Sequence, residues 1–183
     1  MYQHKSQDEN DRDKKGELLD TALKRAGQSL NALLGSATGE FFLDLCRTYL
    51  LLAGLHRCRQ DACDDAENSE EFKKYLSKAR ALLDERKPVR LGEGRGLEVV
   101  PGACPNACYE EACYRVLLED LDTSGADLVN DLLYAAIRVQ PGWYNRAGTD
   151  FRLEPFREDE RQWKILGERL REPHIIGGKE EQT

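Results

Sequence analysis

The chain lacks the signatures by which many enzymes are recognised. It has three histidines, none in an E-x-x-H or H-E-x-x-H pattern, which excludes by motif the common di-iron bundle and the zinc-protease helix. No G-x-S-x-G elbow and no Walker sequence occurs, so neither a hydrolase nucleophile turn nor a P-loop is present. Long apolar runs are missing too. The longest, Phe41 to Leu55, is interrupted by Asp44, Arg47 and Thr48, whereas a membrane span needs about 20 largely apolar residues. The opening MYQHKSQDENDRDKK holds no apolar signal core, which makes the cytoplasm the expected location. Strand signals are scarce. Leu97 to Val100 is the one β-rich run, and one strand makes no sheet, which sets aside an α/β fold.

What is present suits a helical domain. Of 183 residues, 40% are hydrophobic and 33% charged, enough apolar content for a core and too much for a disordered chain. The formal net charge of −7 opposes autonomous binding to phosphate backbones unless cations cluster.

Six segments carry helical periodicity. Leu19, Ala22, Leu23, Ala26, Leu30 and Leu33 form a stripe between Gly16 and Leu34. A second helix, Gly39 to Arg59, is apolar nearly all round and has Ser36 or Thr38 as candidate N-cap. Ser69 is placed as the cap of a third, with Phe72, Tyr75, Leu76, Ala79, Leu82 and Leu83 as its stripe. The fourth starts at Pro105 and is expected to reach Leu121. The fifth follows Ser124, and the sixth covers Arg157 to Arg171, acidic in its first turn and basic in its last. Two stretches break the pattern, 86–105 with its prolines and glycines and 140–156. The expectation is a mainly α, single-domain bundle of about six helices with two long irregular loops. It spans 16–172 between flexible polar tails at 1–15 and 173–183.

Six cysteines are the most unusual feature. Cys46 lies in an apolar helix and reads as a small core residue. Cys58–Cys63 and Cys108–Cys113 share a C-x4-C spacing, Cys104 precedes Cys108 by four, and His56 precedes Cys58 by two. Three readings stay open. Four of these groups could hold zinc or an iron–sulfur cluster, although a C-x4-C pair on a continuous helix diverges by about 140°. The clusters could be cross-linked, as Cys58–Cys108 or Cys63–Cys113, in an oxidising setting. They could also be buried small apolar residues.

Other candidates are weaker signals. Gly92-Glu-Gly94-Arg-Gly96 lacks the third spacing of a dinucleotide fingerprint and leads into Leu-Glu-Val-Val, so it reads as a linker. Lys73, Lys74, Lys78, Arg80, Arg86, Lys87, Arg90 and Arg95 form a basic helix–loop surface. Trp143, Tyr144 and Arg146 could stack on a partner or plug the bundle end. The expected function is a non-catalytic helical interaction subunit of a larger assembly. Its partners would be other protein subunits, with nucleic acid contacted only inside a complex and no membrane. The alternative is a small cysteine-dependent metal-binding or thiol redox protein.

Overall fold

The computed structural model describes residues 2–35, 42–63, 66–91, 97–118, 121 and 123–171, with the side chains at 2–13, 63, 66, 91 and 123 outside the description. The described chain is mostly helical, as the periodicity predicts, but it holds eight α-helices rather than six. Their order is α1 (Tyr2–Gly35), α2 (Phe42–Cys63), α3 (Ala66–Arg86), a hairpin of β1 (Val89–Leu91) and β2 (Leu97–Val99), α4 (Pro105–Leu117), α5 (Thr123–Val139), α6 (Trp143–Thr149), α7 (Glu154–Glu158) and α8 (Glu160–Arg171). A 3-10 turn, Phe151–Leu153, links α6 to α7.

Both expected loops therefore contain structure. In the first, the Leu97 strand finds a partner: Val89 pairs with Val99 and Leu91 with Leu97, antiparallel. Three residues after Pro88 were too few to show alternation. The second loop winds into α6, the 3-10 turn and α7, each too short for a helical stripe to be read. Ser69 falls inside α3, not at its cap. Helix α4 ends at Leu117, four residues short of the expected Leu121. Residues 2–15, read as a frayed tail, continue α1. Their Gln, Glu and Lys residues favour a helix even without an apolar stripe. The proposed caps Ser36 and Thr38, the Gly92–Gly96 linker, Arg95 and the segment 173–183 lie outside the described residues.

Helices α2 and α3 pack antiparallel. Cys46 lies against Ala79, Tyr49 against Tyr75, and His56 against Asn68. Helix α1 lies along α2, with an Asp20–Arg59 ion pair, and buries Ala26 and Leu30. Helix α4 is the central element. Ten of its thirteen residues are buried, between α2, α3, α5 and the 3-10 turn. Pro105 takes its first-turn position, where the missing N–H costs nothing, and Cys108 N–H donates to Cys104 O at 3.0 Å. Helices α5 and α8 run in the same direction. Gln162 meets Asp127 and Asn130, and Arg169 meets Asp131 and Tyr134 further along both.

Gly54 lets the 3-10 turn approach α2. A Cβ there would lie 2.9 Å from Phe151 Cε2. That contact seats Arg152 in the interior, where it is buried. No described helix is long and apolar enough to cross a membrane.

Candidate functional site

Helix α4 carries two adjacent acids, Glu110 and Glu111, at 0% exposure, where its other buried residues are all Ala, Cys, Tyr, Val or Leu. A lone buried carboxylate is unaffordable, so each is met by arginines. Arg47 Nε and Arg152 Nη1 each donate to Glu110 at 2.8 Å, and Arg146 stands 3.8 Å away. Arg80 donates to both oxygens of Glu111, at 3.0 and 3.1 Å, and Arg115 donates at 2.9 Å. Asp150 completes the network. It accepts from Arg152 at 2.6 and 2.9 Å and from the Tyr109 hydroxyl at 3.1 Å.

The electrostatics favour the charged forms of Asp150 and Arg152. Burial alone would raise the Asp150 pKa, but the hydrogen bonds and charge of Arg152 outweigh it and hold the carboxyl below its usual range. Burial alone would lower the Arg152 pKa, and the neighbouring Cys113, Glu110 and Asp150 raise it well above the ordinary value. No buried side-chain nitrogen or oxygen among the described residues lacks a partner. The network ties α2, α3 and the 3-10 turn to α4.

Among the described residues the cysteines do not gather into one cluster. Cys46, Cys58, Cys104, Cys108 and Cys113 are all free thiols, and the side chain of Cys63 lies outside the described residues. Cys108 and Cys113 are both fully buried, on a helix whose five-residue step turns them about 140° apart. His56 is engaged elsewhere: its Nδ1 donates to Asn68 Oδ1 at 2.9 Å, and its ring stacks on Tyr75. Among the described residues, no three His, Cys, Asp or Glu side chains come together as a metal site. Desolvation pushes the Cys46 thiol up to about 12 and the Cys108 thiol up to about 11. It also raises Cys113 well above its ordinary value and raises Cys58. These four stay protonated at neutral pH, whereas a nucleophile needs the thiolate. Cys104 is the exposed one among the described cysteine side chains.

The basic surface is largely engaged. Lys73 holds Glu70 at 3.1 Å, Lys74 holds Glu71 at 2.7 Å, and Lys78 sits over the rings of Tyr49 and Tyr75. Arg86 covers Phe42, and Arg90 donates to Glu98 across the hairpin at 2.8 Å. Lys87 is exposed and adopts φ 46°, closing α3 by donating its N–H to Leu83 O. Trp143, Tyr144 and Arg146 are built into the packing. Trp143 meets Tyr109 edge to face at 4.6 Å, Tyr144 stacks on Trp163, and Arg146 lies over Tyr109 and Trp143.

Two open clefts meet at Leu118, along the seam of α3 and α4. One, of about 530 Å³, is lined by Val89, Leu97 and Tyr114 with Arg80, Arg90 and Arg115. The other, of about 310 Å³, is lined by Arg57, Phe72, Lys73 and Leu117. Leu97 and Leu118 are 41% and 44% exposed there. The sequence reading missed Glu110, Glu111, Asp150 and Arg152. An acidic pair inside an apolar helical run was the available signal for the first two, whereas Arg152 gave none.

No family model, no curated protein and no solved structure matches this chain.

Proposed function

We propose that this protein is a non-catalytic helical interaction subunit that joins a larger assembly through its α3–α4 face. The observation that carries the reading is the pair of clefts meeting at Leu118, where Leu97 and Leu118 stand exposed among arginines. Apolar side chains in a concave surface whose rim carries charges of both signs, Asp61 and Asp84 among the arginines, are the composition of a protein-binding site. The partner is a protein subunit presenting apolar side chains to Leu97 and Leu118. The groups that could carry chemistry support the same reading, because the described interior thiols are protonated and the buried carboxylates are locked to arginines.

The test is co-purification of the tagged full-length chain from its native host, followed by mass measurement in solution. A stoichiometric complex that survives nuclease treatment is expected, and Leu97→Asp with Leu118→Asp should release the partner while leaving helicity unchanged. A lone monomer, or a complex that ignores both substitutions, overturns the reading. A complex dissolved by nuclease would make the contact a nucleic-acid one instead.

A further inference from the structure

A separate cleft of about 410 Å³ lies where the last turns of α5 and α8 meet the start of α6, a volume in the range that holds small ligands. Its lining is Ile137, Pro141, Tyr144, Gly167 and Leu170, closed by Arg138 and Arg171. The wall is firm, because Tyr144 stacks on Trp163 with ring centroids 5.3 Å apart.

The two arginines carry the argument. Among the described residues neither forms an ion pair, whereas Arg169, on the same helix as Arg171, holds Asp131 at 2.8 Å. The parallel α5 and α8 bring two carbonyl-rich helix ends to this cleft. Each end carries roughly half a negative charge, so two full guanidinium charges leave a positive surplus. A guanidinium fork beside an apolar wall matches a carboxylate attached to a hydrocarbon body.

Gly167 points the same way. A Cβ there would meet Tyr144 Oη at 3.5 Å, an ordinary contact, so packing does not demand glycine. Glycine inside a helix is unfavourable relative to Ala. Its effect here is to leave space in the cleft.

We propose that this cleft binds a small apolar carboxylate, with the hydrocarbon body against Ile137, Tyr144 and Leu170 and the carboxylate held by Arg138 and Arg171. The site shares no residue with the α3–α4 face and does not rest on the interaction reading.

Sodium decanoate, kept below its micellar concentration, is the probe, and backbone amide shifts of the full-length chain are the readout. Saturable shifts confined to residues 137–144 and 167–171 are expected. Decan-1-ol should bind at least about tenfold more weakly, the loss of one charge-assisted hydrogen bond. Decyltrimethylammonium should not bind. Arg138→Gln should weaken decanoate by about tenfold. Gly167→Leu should abolish binding while keeping full helicity. Equal binding of acid and alcohol, or unchanged binding by either variant, overturns the proposal. So does an absence of saturable shifts. Binding that appears only after Ile175→Asp with Ile176→Asp would assign the cleft to the chain's own segment, and would overturn it equally.

Discussion

Glu110→Gln removes one negative charge from the centre of the molecule while keeping its shape. The carboxylate accepts 2.8 Å hydrogen bonds from Arg47 and Arg152, and Arg152 is 3% exposed. A hydrogen bond to a charged group contributes about 1.5–3 kcal/mol, so two give about 3–6. Breaking a buried ion pair from one side costs about 3–5 kcal/mol, which agrees. The amide carbonyl of Gln still accepts from one arginine, and Arg152 keeps Asp150. The expected loss is therefore about 3 kcal/mol, set by those two bounds. Against a domain stability of about 5–15 kcal/mol, that is a large fraction. With a urea dependence of about 2 kcal/mol per molar, the midpoint should fall by about 1.5 M, followed by far-UV circular dichroism. The matched control is Glu98→Gln, which removes an exposed carboxylate from Arg90 and should cost about 0–1 kcal/mol. A Glu110→Gln shift no larger than the control would refute the argument that the network holds α4 in place.

Gly54→Ala should destabilise by about 1–3 kcal/mol in denaturant titration, because its Cβ would press on the Phe151 ring, and Phe151→Leu should restore part of the loss. Asp150 has a depressed folded pKa, so its stabilisation is complete above its ordinary value of 3.8 and is lost as pH falls below it. Asp150→Asn should therefore be less stable than the parent at pH 7 and approach it under acid, as measured by unfolding at successive pH values. In thiol titration at pH 8, Cys104 should react in the fast phase, and Cys46, Cys108 and Cys113 only as the chain unfolds. Cys104→Ser should remove one fast equivalent. Lys87→Gly should raise the urea midpoint, because glycine adopts the left-handed φ of 46° about 1 kcal/mol more readily.

The long amphipathic helices were legible because their apolar periodicity outlasts a turn or two. Leu76, Ala79 and Leu83, all on one face by spacing, are all buried on that face. Pro105 marked the start of α4 to the residue. A three-residue strand and helices of seven and five residues are too short for a period to be read, so β1, α6 and α7 were invisible. The cysteine spacing left three readings open because it measures distance along the chain, while burial on helix α4 shows only in the structure, with Cys108 and Cys113 at 0% exposure. Glu110 and Arg152 lie 42 positions apart, and their pairing depends on Gly54, whose lack of a side chain admits the turn that carries Arg152. No local signal connects those three residues.

The arginine that completes the Glu110 pair is encoded 42 positions after it, which bears on the order of events during synthesis. A growing chain that has released α4 but not residue 152 holds Glu110 with only Arg47 and Arg146 to meet it. Docking α4 at that stage would leave Glu110 without its Arg152 hydrogen bond, so the stretch from Pro105 to Leu117 is expected to dock fully only after the 3-10 turn has been made. Nascent chains arrested before residue 152 should be protease-sensitive in α4, and chains extended well past α8 should be resistant.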